Sequence, residues 1–353
     1  MNKPSITRRQ TLSVMAGAFL WPMGAAGTRG LHIESRPLFG STAEVMIRHA
    51  SIGATSADPM RRVVKELERL NRDWNAWKPG VLVELNQALL QGRSGAVAPD
   101  LLALIRLART LEARSGGLFN AGIGGLVSAW GFHADVLRPD AGLVPGEPVP
   151  WRGRAPSLSR LRVEAGGRLS STDPRVQLDL GAIAKGWAID RALDELARQG
   201  QPHAVVNLGG NLAVQGDAGG RPWQIGVRDP LGGGVVATVS TRSREAVVTS
   251  GSYERYRQIA GRRVSHIVDP RSGCPAEGLA SVTVLHPSAA VADAAATALM
   301  VAGPRQWPFV AARMGVRQVL ALHADGRGTM TSAMASRLRL RESRWTSQLK
   351  VIA

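Results

Sequence analysis

A chain of 353 residues, 44% of them hydrophobic, can bury a sizeable core in one large domain or two intimate ones. Its single cysteine, Cys274, excludes an intrachain disulfide and any cysteine-based metal cluster. The formal charge of +17 invites a nucleic-acid partner, yet the arginines are scattered and aromatics are only 5%. With no helix-turn-helix or finger spacing, that basicity suits an anionic small ligand or a membrane face better than nucleic acid.

The first predicted element is an address. Arg8 and Arg9 precede the apolar run 12–21, and Gly24, Ala25, Ala26 and Gly27 follow, the layout of a secretory signal. The run is shorter than the roughly 18–20 apolar residues that span a bilayer. "TRRQTL" (7–12) matches a twin-arginine export signal, and no cysteine follows to accept a lipid. The sequence therefore divides into a twin-arginine-type signal at 1–27, destined for the periplasm, and a working domain at 28–353.

Within that domain, "AEVMIRH" (43–49) alternates as a strand does. From Met60, Val63, Val64, Leu67, Leu70, Trp74 and Trp77 fall at helical spacing behind Asp58-Pro59, and a second helix is predicted from Pro99 to Arg114. Residues 133–159, rich in Pro, Gly and Arg, read as a long connection. Trp187–Gln199 is a helix with Ile189, Ala192, Leu193 and Leu196 inward. Strands are predicted at "HAVVNL", "NLAVQG", "WQIGV", "VVATVS", "AVVTS" and "SVTVLH", then a small-residue helix from Ala290 to Ala302. The basic tail "SRLRLRESRW" (336–345) reads as a solvated strand or helix edge. Helices first, clustered strands next and a helix–strand alternation last make an α+β (mixed α/β) pattern, with antiparallel-rich sheets flanked by helices.

Five stretches, in four groups, could carry chemistry. In "LDLGAIAKGWAID" (178–190), Asp179 ends a strand and a glycine turn enters a helix, so backbone N–H groups and Lys185 could receive an anion. The Walker spacing is absent, and most such turns are plain strand–helix connections. "NLGGN" (207–211) allows close backbone approach or simply a tight hairpin. In "TSGSYERY" (249–256) and "SHIVDPRSG" (265–273), His266 is a general-base candidate, although a lone histidine is more often structural. In "ADAAATAL" (292–299), Asp293 and Thr297 stand one helical turn apart and offer two oxygens to a hard cation such as Mg²⁺. Helix capping and back-bonding to a carbonyl would use the same two residues.

Taken in this order, these stretches resemble the ApbE family of FAD:protein FMN transferases. So do "LFGSTAEVMI", "NAWKPGVLVELN" and "GGLVSAWGF", and the likeness runs from about residue 38 to about residue 303. The resemblance implies an ApbE-like, T-fold-like architecture and a reaction in which FAD bound with Mg²⁺ yields FMN to a threonine hydroxyl of a partner flavoprotein, releasing AMP. It implies metal ligation by the Ala182 carbonyl, Asp293 and Thr297, and contacts to FAD from Phe39, Trp77, Leu118, Phe119, Asn120, Asp179, Lys185 and Ile267. His266 becomes the candidate to deprotonate the acceptor threonine. Four positions depart from the family pattern: Phe39 for methionine, Asn120 for aspartate, Gly125 for proline and Ser252 for aspartate. The same site with water as nucleophile would make an FAD pyrophosphatase, and without turnover a flavin-binding accessory factor of a respiratory complex. The expected acceptor is an exported electron-transfer flavoprotein, with inner-membrane association through that partner.

Overall fold

The computed structural model describes residues 18–20, 30–48, 57–138, 142–144, 153–259, 261–341 and 344–352. Its spine is a nine-stranded sheet whose strands follow one another in space in the order of the chain. They are β1 (Leu31–Leu38), β2 (Ser41–Arg48), β3 (Ala204–Leu208), β4 (Asn211–Gln215), β5 (Arg244–Gly251), β6 (Leu279–His286), β7 (Gln318–His323), β8 (Gly328–Thr331) and β9 (Leu349–Ile352). Neighbours pair antiparallel except β8 with β9, which run parallel. The helices enter as insertions into this meander: α1 (Ala57–Asp73), α2 (Val81–Leu90), α3 (Pro99–Ser115), α4 (Gly124–Ala129) and α5 (Ala184–Arg198) between β2 and β3, and α6 (Ala289–Met314) between β6 and β7.

The sheet is covered on both faces. Val45, Ile47, Val206, Ala246 and Val248 join the helices in one core, while Met46, Val205 and Val247 join Ile225, Val227 and Val239 in another. The second core lies against a four-stranded sheet made by Ala18–Leu20, Gln224–Arg228, Val235–Ser240 and Leu338–Leu340. Strands buried on both faces need apolar side chains at successive positions, which is why "AVVNL" and "NLAVQ" read as runs rather than as alternations. Residues 1–17 and 21–27 of the expected leader lie outside the described residues; Ala18–Leu20 pair antiparallel with 225–227.

Most predicted elements form close to where the sequence puts them, with two corrections. Helix α1 carries Val63, Val64, Leu67, Leu70 and Trp74 into the core but stops at Asp73. Asn75 Oδ1 then accepts the N–H groups of Trp77 and Lys78, an Asx turn that lifts Trp77 off the helix altogether. The basic tail does form an edge strand, but Arg337 is not solvated: it makes a two-pronged pair with Glu245, and the two side chains are 11% and 5% exposed. The 133–159 segment has no helix or strand among its described residues before the short 3-10 turn Leu158–Arg160.

Candidate functional site

Helices α5 and α6 meet in unusually close packing, and the site is built at that meeting. Gly186 makes the approach possible, since a Cβ there would stand 2.3 Å from the Ala289 carbonyl oxygen. Asp190, on the same helix, accepts from Ser288 Oγ and from the Ala289 and Ala290 N–H groups, so it caps α6 and pins its first turn to α5. The Gly186 N–H, one of the first-turn donors of α5 that no helical carbonyl receives, donates to Asp293 Oδ2 at 3.0 Å.

Asp293 is 2% exposed, and its other oxygen accepts from Asn211 Nδ2 at 2.8 Å. "NLGGN" is thus a tight hairpin turn, with Gly209 and Gly210 both at positive φ (62° and 87°), and also the source of a site residue. Burial raises the Asp293 carboxyl above its usual range, against the pull of Lys185, Gly186 and Asn211. A carboxylate held up in this way gains from a cation. Thr297, one turn along, lies with its Oγ1 3.4 Å from Ser250 Oγ. Carboxylate, hydroxyl and carbonyl oxygens are the donors Mg²⁺ prefers, so Ala182, Asp293 and Thr297 are of the chemical kind that suits the ion the family resemblance implies.

His266 Nδ1 lies 2.8 Å from the Arg255 carbonyl, which can only accept, so the proton is on Nδ1 and Nε2 is left as the basic nitrogen. Burial first, and the charge of Lys185 second, push the imidazole down to about 4. The ring is therefore neutral at physiological pH and able to take a proton. Glu254 is exposed, and its carboxylate feels two charges of the site: Lys185 favours its ionised form and Asp293 opposes it.

Asp179 receives the Gly181 N–H on Oδ1 (2.8 Å) and faces His133 Nε2 at 2.9 Å with Oδ2. Desolvation works against the charged form, but the hydrogen bond and charge of His133 and the Gly181 N–H hold Asp179 below the ordinary carboxylate range. Trp77 stacks on His133, with ring centroids 5.5 Å apart, and the Arg255 guanidinium lies 5.0 Å from the Trp77 ring centre. Phe39 occupies a left-handed conformation (φ 54°) in the β1–β2 hairpin, its N–H held by Asn71 Oδ1 at 2.7 Å. A bulky residue in that region is strained, and strain of this kind collects at functional sites.

The remaining predicted residues are placed differently. Phe119 is fully buried and Leu118 nearly so, both in the helix-side core. Asn120 makes an Asx turn to the Gly122 N–H and donates to the Pro156 carbonyl, beside a cleft of about 660 Å³ that Arg109, Glu112 and Ser157 also line. Ile267 is a core side chain whose backbone is engaged by Ser265 and Ala276. Backbone pairing of Asp179 N–H to the Ala121 carbonyl joins the 118–120 segment to the glycine turn.

Comparison with known proteins identifies the family and the fold. The ApbE family model matches residues 39–320. The chain belongs to the ApbE family. An FAD:protein FMN transferase of Rhodobacter capsulatus is 44% identical over 90% of this chain, and the match spans 60% of that protein's length. A protein of the same name from Vibrio cholerae is 31% identical over 82% of this chain and 87% of its own. Among solved structures, the ApbE protein of Thermotoga maritima superposes with a TM-score of 0.76 at 26% identity, covering 88% of this chain and 99% of its own. The flavin transferase ApbE of Vibrio cholerae gives 0.75 at 29% identity, covering 87% and 99%.

Membership in the ApbE family leaves several site residues unaccounted for by motif reading. Asn211, Glu254 and Arg255 lie inside the quoted stretches, but nothing local in the sequence distinguishes them from their neighbours. His133 follows "GGLVSAWGF" and meets its partner 46 residues away, at a contact that periodicity does not reveal.

Proposed function

We propose that the protein transfers the FMN half of FAD to a threonine hydroxyl of a partner flavoprotein, with AMP as the leaving product. The observation that supports it best is the buried Asp293 carboxylate, which accepts the Gly186 N–H in the first turn of α5, one residue from Lys185, with Thr297 one turn along α6. Mg²⁺ held by Ala182, Asp293 and Thr297 would offset charge on the diphosphate as it is cleaved. Lys185 and the N-terminal N–H groups of α5 would receive the same diphosphate. His266, neutral and fixed through Nδ1, would take the threonine proton on Nε2 as the oxygen attacks phosphorus. Once an anionic ligand offsets the charge of Lys185, one of the causes that depress the His266 pKa is relieved, so its basicity rises when it is needed.

The leader at 1–27 would carry the domain to the periplasm, where an exported electron-transfer flavoprotein is the acceptor. The test is AMP release from FAD with Mg²⁺, with and without an acceptor domain carrying the threonine. Acceptor-dependent AMP with matching protein-bound flavin supports transfer; AMP formed equally without acceptor makes the protein a pyrophosphatase; no AMP refutes both.

A further inference from the structure

His133 belongs to none of the motifs, yet it is tied into the site on three sides. Its Nε2 lies 2.9 Å from Asp179 Oδ2, and both side chains are mostly buried, at 13% and 14% exposure. Its ring stacks on Trp77 at 5.5 Å with planes 25° apart. The backbone on either side is clamped by one guanidinium, since Arg255 Nη2 donates to the carbonyls of both Phe132 and Ala134. Arg255 also gives its own carbonyl to the His266 imidazole. The loop carrying His133 is therefore fixed by the residue that fixes the candidate base.

An ionised carboxylate only accepts, so His133 Nε2 carries the proton and donates it to Asp179. With Gly181 N–H on Oδ1 and His133 on Oδ2, the Asp179 carboxylate cannot rotate without breaking one of two hydrogen bonds. Each oxygen keeps a lone pair for an outside donor. A short side chain so restrained is preorganised to accept from a ligand hydroxyl or N–H, and stacking restrains Trp77 in the same place.

We propose that His133 is a positioning residue of the flavin site, orienting Asp179 by hydrogen bond and bracing Trp77 by stacking; the proposal rests on the FAD reading above. The test is binding, with no acceptor, with Ca²⁺ in place of Mg²⁺ to keep a divalent cation on the diphosphate, and with AMP release monitored so that affinities are read before turnover. FAD fluorescence is titrated with wild-type protein and with His133→Gln, His133→Phe and His133→Ala, each checked by circular dichroism for native fold. Glutamine keeps a donor to Asp179 and phenylalanine keeps only the stack. The expected result is FAD affinity within about threefold of wild type for His133→Gln, and a loss of about tenfold or more for His133→Ala, with His133→Phe between them. In an Asp179→Asn background, His133→Ala should cost much less than it does alone, because the partner it positions is already changed. A purely structural histidine would give additive losses and no rescue by glutamine, which overturns the proposal. Wild-type affinity in His133→Ala and His133→Phe also overturns it while leaving the FAD reading intact. Failure of the wild type to bind FAD overturns both.

Discussion

The chemistry rests on two groups whose ionisation is set by place rather than by type. His266 is neutral because it is partly buried and near the charge of Lys185, and its tautomer is fixed by a carbonyl. Its ring should titrate near 4 by NMR, and Lys185→Met should move that value upward, since removing a nearby positive charge favours protonation. Titration near 6.5, or no change with Lys185→Met, contradicts this electrostatic picture. Replacing the base should act on rate and not on binding. His266→Gln is expected to lower FMN transfer by about 10²–10⁴-fold with FAD affinity nearly unchanged. A parallel loss of FAD affinity would make His266 a binding residue instead.

At the scale of elements, the site depends on how closely α5 approaches α6. Gly186→Ala puts a methyl against backbone at Ala289 and Ala290 that has no rotamer to yield, so the helices must separate. The expected cost is about 1–3 kcal/mol in denaturant unfolding, together with loss of metal-dependent activity as the Gly186 N–H leaves Asp293. An unchanged unfolding midpoint would mean that the helices have slack the packing does not show. A different element is locked by Arg337, which reaches Glu245 at the start of β5 from the turn before Leu338–Leu340. Arg337→Ala should destabilise the fold by about 3–5 kcal/mol, because a buried carboxylate loses its partner. The double variant Arg337→Met/Glu245→Gln should recover most of that.

Elements were legible in the sequence where the signal is local. Helical spacing placed α1, α3 and α5, and apolar runs between glycine and asparagine turns placed β3, β4, β5 and β6. Trp77 misled because it sits in phase with α1, while an Asn75 turn decides where the chain goes. Arg337 misled because composition does not show whether an arginine has a carboxylate waiting across a sheet. The residues of the site divide in the same way: Lys185, His266, Asp293 and Thr297 stand in readable motifs. His133, Arg255 and Asn211 matter through contacts at separations of 46, 123 and 82 residues, which only the fold creates.

For the whole molecule, one meandering sheet receives long insertions, and those insertions meet over one face to make the site. The insertion between β2 and β3 supplies Trp77, His133, Asp179 and Lys185; the β5–β6 connection supplies Glu254, Arg255 and His266; the β6–β7 insertion supplies Asp293 and Thr297. No single segment holds a complete constellation, so activity requires the folded domain as a unit. The scattered positive charge suits an anionic substrate better than a nucleic-acid track.

The most direct test of transfer is the intact mass of an acceptor flavoprotein domain after incubation with this protein, FAD and Mg²⁺. The account predicts an FMN adduct on the acceptor threonine that disappears with chelator, with Asp293→Ala and with replacement of that threonine. An acceptor that stays unmodified beside an intact, FAD-loaded protein, or an adduct that survives Asp293→Ala, would contradict it.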